Sequence, residues 1–162
     1  MNVQALSEGD STRRRLIFAA CVTCGMLTGC ASEPKPVNVT LTIEAGRDIN
    51  PDPHGRPSPI ALKLFELKSL ANFERADFFS LFDRERETLG PELIARDEMV
   101  LRPGDRVTQE RKIAPEVRFI GVLAGFRDLE RSQWRLSIPM EAARRQPLRI
   151  QLDATRVALQ GS

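Results

Sequence analysis

The chain has 162 residues, of which 41% are hydrophobic and 28% charged, and its 24 Lys and Arg nearly balance its 22 Asp and Glu. That length is enough for one domain with a proper hydrophobic core. A formal charge of +2 lacks the basic excess of nucleic-acid-binding proteins, so we expect no nucleic-acid partner. One His and three Cys exclude most zinc and haem sites, which need several such ligands close together.

The first feature along the chain is typical of an export signal. Three arginines, residues 13–15, precede an apolar run over residues 16–28. At ~1.5 Å per residue this run covers roughly 20 Å, short of the ~30 Å hydrocarbon core of a bilayer. The run ends in Leu27-Thr28-Gly29-Cys30, which resembles a bacterial lipobox, whose Cys receives a diacylglyceryl group. The alternative is that Cys30 is an ordinary structural Cys beside an ordinary cleavage site.

These features predict three segments: a signal peptide over residues 1–29, the lipidated Cys30 with a tether through residue 36, and a domain over residues 37–162. Cys21 and Cys24 have the C-x-x-C spacing of redox or metal sites, but both lie in the segment that we expect to be removed. We expect no cofactor other than the covalent lipid at Cys30. By the usual sorting rule, Ala31 rather than Asp after Cys30 indicates the outer membrane.

Residues 37–67 predict two strands joined by a loop. Residues 37–45 alternate between apolar and polar side chains, which is typical of a half-buried strand. Residues 46–59 (GRDINPDPHGRPSP) are rich in Pro, Gly, Asp and Asn, a composition that predicts an ordered, turn-rich loop. Residues 60–67 predict the second strand.

Residues 68–90 change to a helical period. Phe78, Leu81, Phe82 and Leu89 share one face of a single helix, which we expect to end at Gly90-Pro91. The charged residues 83–87 predict a solvated stretch on that helix.

The rest of the chain predicts short strands separated by turns. Residues 93–101 end at a tight turn over residues 102–105, residues 107–113 are polar enough for an edge strand, and residues 117–126 are apolar enough for a central one. Three more short alternations follow, over residues 134–138, 148–152 and 155–159. Seven or eight short strands with one inserted helical segment predict an all-β fold, a β-sandwich.

Residues suited to catalysis are scarce. His54, the sole candidate base for a nucleophilic triad, lies in the loop between Pro53 and Gly55, where no apolar neighbour is expected to orient it. Two acidic clusters, Asp97-Glu98 and Glu85 with Glu87, are more simply explained as surface charge, and Arg127-Asp128 as an internal ion pair at a strand end. We therefore do not expect an enzyme.

An ordered set of motifs resembles the TssJ (VasD) family, the outer-membrane lipoproteins of type VI secretion systems. The resemblance covers roughly residues 27–155 and starts from the lipobox. The motifs are Asn50-Pro51-Asp52, Gly55-Arg56-Pro57-Ser58-Pro59, Leu67-Lys68-Ser69, Ala76-Asp77-Phe78, Arg96-Asp97-Glu98, Pro103-Gly104, residues 121–128 (GVLAGFRD) and Trp134-Arg135.

The resemblance implies a transthyretin-like β-sandwich that tethers a trans-envelope complex to the outer membrane. In the family this role requires binding to the periplasmic C-terminal domain of TssM, which associates with TssL in the inner membrane. The loop between the first two strands is a principal contact in characterised relatives. The residues so implicated here are Arg47, Asn50, Pro51, Asp52, Gly55, Arg56, Pro57, Ser58 and Pro59.

Two alternatives stay open at this point. The polar and proline residues of the loop could simply shape it, although four prolines also reduce the conformational entropy lost on docking. The chain could also be a periplasmic ligand- or carbohydrate-binding lipoprotein, since sandwiches of this shape support such functions. One Trp and no Tyr argue against sugar binding.

Overall fold

The computed structural model describes residues 35–160, so the predicted signal peptide, Cys30 and most of the tether lie outside the described residues. The described part contains eight strands and four short helices. The strands are β1 (Val37–Ala45), β2 (Ile60–Leu67), β3 (Leu93–Leu101), β4 (Arg106–Ile113), β5 (Phe119–Ala124), β6 (Arg135–Pro139), β7 (Leu148–Leu152) and β8 (Val157–Leu159). The helices are α1 (Ala71–Arg75), α2 (Phe78–Asp83), α3 (Glu85–Leu89) and α4 (Met140–Arg145).

The strands form two four-stranded sheets, one in the order β4-β1-β7-β8 and the other in the order β3-β2-β5-β6. All named pairings are antiparallel except that of β1 with β7. Apolar side chains from alternate positions meet between the sheets, and Leu41, Leu62 and Ile150 are fully buried there. The predicted β-sandwich is confirmed, as are the edge position of β4 and the central position of β5.

The prediction of one helix over residues 68–90 is wrong, because the segment forms three short helices and a 3₁₀ turn at Gly90–Glu92. Asp77 starts α2 as a cap, its carboxylate accepting a hydrogen bond from the Ser80 N–H at 3.0 Å. Gly90 ends α3 with a φ of 51°. These breaks let the segment fold against the outer face of β2 and β5, where Phe73, Leu81 and Leu89 are fully buried.

Close packing of this helical layer depends on Gly121 in β5. A Cβ at that position would lie 2.9 Å from the Phe73 ring and 3.0 Å from the Leu67 side chain. The absence of a side chain at Gly121 therefore lets the helical layer pack closely on β5.

The prediction that the charged residues 83–87 are solvated is wrong for Glu85. Glu85 is 7% exposed and Lys63, on the outer face of β2, is 6% exposed. The Lys63 ammonium donates a hydrogen bond to the Phe82 carbonyl and lies 3.4 Å from the Glu85 carboxylate. Arg96 pairs with the same carboxylate at 2.9 Å. Period analysis misses this cluster because its partners come from three separate elements.

Strand direction gives the sandwich two distinct ends. Residues 46–59, 102–105, 125–133 and 153–156 form one end, where the Gly104 N–H donates to the Ala45 carbonyl and the Asn50 N–H to the Ala154 carbonyl. We call this the loop end. The chain enters β1 at the opposite end, beside the loop over residues 114–118 and helix α4, whose first residue, Met140, donates its N–H to the Arg118 carbonyl. We call this the tether end.

Candidate functional site

The loop over residues 46–59 is closed at its base and bound to the domain there. The Gly46 N–H donates to the Leu152 carbonyl at 2.8 Å, and the Ser58 N–H donates to the Ile49 carbonyl at 3.1 Å. Ile49 is fully buried in the core of the sandwich. The loop is therefore anchored at its base by apolar burial and backbone hydrogen bonds, while its middle faces solvent.

Asn50 connects this loop to the neighbouring β5–β6 loop. It is 4% exposed and has a φ of 47°, in the left-handed region that Asn tolerates better than most residues. Its side-chain amide donates to the Pro59 carbonyl at 2.8 Å and accepts from the Arg127 N–H at 2.8 Å. The Asn50 side chain thus fixes the C-terminal end of the loop and holds the loop beside the β5–β6 connection.

The tip of the loop is organised by Asp52. Its carboxylate accepts hydrogen bonds from the N–H groups of His54 and Arg56, at 2.8 and 3.0 Å, and pairs with the Arg56 guanidinium at 2.7 Å. The N–H and guanidinium of Arg56 hold the pKa of Asp52 below its ordinary value of 3.8, and the His54 N–H and the Arg127 charge add to this effect. An ionised Asp52 therefore stabilises the closed turn.

A cleft of about 530 Å³ lies beside the loop. The loop supplies one wall through residues 50–53, and the β5–β6 and β7–β8 connections supply the other. The residues of that second wall are Phe126, Arg127, Asp128, Arg131, Ala154 and Thr155. Sequence reasoning missed them, because only strand pairing shows that these three connections meet at one end.

The structure separates the predicted loop residues into two groups. Asn50 and Ser58 are buried, so they shape the loop and cannot present their side chains to a macromolecular partner. Pro51 and Asp52 are half-buried at the edge of the cleft. The residues exposed for contact are Arg47, Gly55, Arg56, Pro57 and Pro59.

The expected Arg127–Asp128 ion pair is wrong. Asp128 instead pairs with Arg131, with Nε and Oδ2 3.9 Å apart, and accepts a hydrogen bond from the Arg131 N–H. Arg127 donates its backbone N–H to Asn50, and it lines the cleft. The turn that follows Asp128 brings Arg131, three residues later, within reach of its carboxylate.

Other candidate groups take structural positions. His54 is exposed at the loop tip. Asp97 pairs with Arg111 at 2.7 Å, and Trp134 packs edge-on against Phe78 under the helical layer. Among residues 35–160, no group of His, Cys, Asp and Glu is arranged to hold a metal ion, and no helix is long and apolar enough to cross a bilayer.

Comparison with known proteins gives one family. Residues 37–155 match the model of a family described as type VI secretion lipoprotein, VasD, EvfM, TssJ. No protein of curated function matches the sequence.

Several solved structures share the fold. The type VI secretion lipoprotein TssJ1 of Pseudomonas aeruginosa is 35% identical, with a TM-score of 0.72 over 76% of this chain and 95% of that chain. Lip of Serratia marcescens, described as a membrane-bound component of the type VI secretion system, is 27% identical, with a TM-score of 0.67 over 78% and 98%. A chain in a structure described as a type VI membrane complex is 26% identical, with a TM-score of 0.70 over 76% and 98%.

Proposed function

This chain belongs to the type VI secretion lipoprotein family that includes TssJ and VasD, and on that basis we propose that it anchors the secretion complex to the outer membrane. A lipid on Cys30 provides the anchor. The loop end binds the periplasmic C-terminal domain of TssM, which links the chain indirectly to TssL. The role is structural and requires no catalytic group.

Two comparisons support this assembly role. The Serratia relative is described as membrane-bound, and another relative was solved within a type VI membrane complex. Both match 76% or more of this chain, so the fold seen in those structures is the fold of this domain.

The observation that carries the partner assignment is the preformed loop over residues 46–59. Asn50 and the Asp52–Arg56 turn fix its backbone, so docking costs little ordering entropy. Arg47 is exposed at the loop end and offers a forked donor to carboxylates and carbonyls, and Arg56 is exposed beside it with its guanidinium on Asp52.

The position of the loop also suits an envelope-spanning assembly. β1 leads directly from the tether to the loop, and its nine residues place the two roughly 26 Å apart at ~3.3 Å per residue. A lipid at the tether end therefore leaves the loop end pointing into the periplasm, toward a partner from the inner membrane.

Calorimetric titration with the purified periplasmic domain of TssM tests the proposal. Arg47→Glu should weaken binding by about tenfold or more, because an exposed cation at the contact becomes an anion. Deletion of residues 47–58 should abolish binding. The matched control is Arg149→Glu, which reverses an exposed charge on β7, away from the loop end.

If Arg47→Glu and the deletion variant bind TssM as tightly as the control Arg149→Glu, and their circular dichroism is unchanged, the loop assignment is wrong. If the unchanged chain does not bind TssM, the partner assignment itself fails.

One observation favours a second candidate function, the binding of a small ligand. The cleft beside the loop has a volume within the range of small-molecule sites. Trp134 lies under the helical layer instead of in the cleft, which removes the side chain best suited to stack on a sugar. Reproducible stabilisation by a saccharide in a thermal-shift screen would support this second function.

A further inference from the structure

Opposite the proposed partner site, the tether end carries a concentration of positive charge. Its segments are residues 35–36, 68–69, 90–92, 112–118 and 140–147, brought together by strand pairing and by the link between Met140 and Arg118. Six basic side chains lie in these segments, and all are exposed. They are Lys35, Lys68, Lys112, Arg118, Arg144 and Arg145.

These cations are not neutralised within the domain. The same segments contain three acidic residues, Glu92, Glu116 and Glu141. No carboxylate of residues 35–160 lies within 4.0 Å of any of the six cations. Unpaired exposed cations leave a positive potential at this end.

The loop end differs in charge. Its four segments carry equal numbers of acidic and basic side chains, and several pair locally, among them Arg56 with Asp52 and Arg156 with Asp153 at 2.7 Å. The total charge of the chain is near zero, but positive charge is concentrated at the tether end of the sandwich.

We propose that the tether end docks on the phosphate groups of anionic phospholipids, so that the domain is held by its own basic surface as well as by the acyl chains. This inference rests on the proposed lipid at Cys30. Five peptide units join Cys30 to Lys35, a reach of at most ~18 Å. The basic end therefore stays close to any membrane that holds the lipid.

Helix α4 supplies two of the six cations. Met140 and Ala143 are buried against the sandwich, which leaves Arg144 and Arg145 exposed at its last turn, before Gln146 and Pro147. Among residues 35–160, no acidic side chain pairs with Arg144 or Arg145. A cation near an anionic membrane surface contributes ~1 kcal/mol, which corresponds to about fivefold in the docked-to-undocked ratio.

The test uses the mature lipoprotein purified from membranes and reconstituted into vesicles. A fluorophore is attached at Gln146→Cys, at the tether end, or at Pro53→Cys, at the loop end, and quenchers are carried on lipid headgroups. The tether-end label should be quenched on vesicles containing phosphatidylglycerol and much less on phosphatidylcholine alone. The loop-end label should stay unquenched on both.

Charge variants identify the surface. Arg144→Gln/Arg145→Gln should lower the docked-to-undocked ratio by about fivefold per charge. The matched control, Arg102→Gln/Arg156→Gln, removes two exposed charges from the loop end and should leave the docked-to-undocked ratio unchanged. If quenching of the tether-end label is the same on anionic and neutral vesicles, and the same with and without Arg144 and Arg145, the proposal is wrong.

Flotation separates this proposal from the anchor. Loss of the protein from vesicles at high salt would refute the lipid at Cys30. In that case, a protein that stays on anionic but not on neutral vesicles at low salt would still support the basic surface. Loss from anionic vesicles at both salt concentrations would overturn the proposed docking.

Discussion

Asn50 shows how much of the loop depends on one buried amide. Its side chain satisfies the Pro59 carbonyl and the Arg127 N–H, while its own N–H satisfies the Ala154 carbonyl. Three connections of the loop end are thereby joined. A residue without hydrogen-bonding capacity leaves two polar groups unpaired at a position that is 4% exposed.

Asn50→Ala should lower the free energy of unfolding by about 2–4 kcal/mol, through the unpaired groups and the positive φ. Asn50→Gly, which relieves only the backbone strain, should recover about 1 kcal/mol of that loss. Urea denaturation measures both variants. Equal stability of Asn50→Ala and the unchanged chain would contradict the role of the amide.

Asp52 makes the loop tip sensitive to acid. Because its pKa is depressed in the folded chain, its stabilising contribution is fully present above the ordinary value of 3.8 and is lost as pH falls through the lower folded pKa. NMR titration of the Asp52 carboxyl should give a midpoint below 3.8. Asp52→Asn should lose this titration and loosen the turn at every pH, visible as faster amide exchange at His54 and Arg56. A midpoint at or above the ordinary value would contradict the turn.

At the scale of elements, the helical layer is joined to the sheet by both charge and apolar packing. Although burial pushes the pKa of Glu85 upward, its own backbone N–H, Lys63 and Arg96 outweigh that effect and hold the pKa below its ordinary value. Lys63 also lies 4.7 Å from the centre of the Phe82 ring. The lysine thus contacts both α2 and α3 from the strand beneath them.

Lys63→Met should destabilise the chain by about 3 kcal/mol, because Glu85 stays buried with one cation fewer. Trypsin should then cleave faster at Arg84 and Arg86, which lie in the loosened layer. Lys112→Met, at an exposed position on β4, is the matched control. If the two variants show the same unfolding midpoint and cleavage rate, the buried pair does not hold the layer.

At the scale of the whole molecule, Arg111 closes one side of the sandwich. From β4 in one sheet it reaches Glu66 and Asp97 in the other, at 3.0 and 2.7 Å. The opposite side is closed by backbone pairing between Gln133 and Arg156. The two sheets are therefore joined by polar contacts at both edges as well as by the apolar core.

Arg111→Met should cost about 3 kcal/mol of unfolding free energy, since Glu66 loses its partner in a site that is about one-tenth exposed. Arg106→Met, on the same strand, breaks an exposed pair with Glu44 and should cost less than about 1 kcal/mol. Denaturant unfolding of both variants measures the difference. Equal losses would show that Arg111 is only a surface cation.

Period-two alternation and local polarity together placed the strands, because an apolar side chain that faces a core must recur at every second residue. Alternation located β1 correctly, and the polar composition of residues 107–113 gave β4 its edge position. Helical periodicity failed for residues 68–90, where the cap at Asp77 and the left-handed Gly90 divide an apparently continuous helix. It did not predict α4, whose six residues carry too short a pattern.

The sequence by itself determined the sandwich and the loop over residues 46–59, which follow from local composition and spacing. It also carried the family resemblance, which rests on an ordered set of short motifs. Only the tertiary structure decided that Asn50 is a buried clamp, that Glu85 is a buried ion, and that the second wall of the cleft comes from residues 126–131 and 154–155. The physical reason is that strand pairing joins residues far apart in sequence. Strand pairing likewise decided where the charges of this nearly neutral chain lie, because it brings six exposed cations together at the tether end.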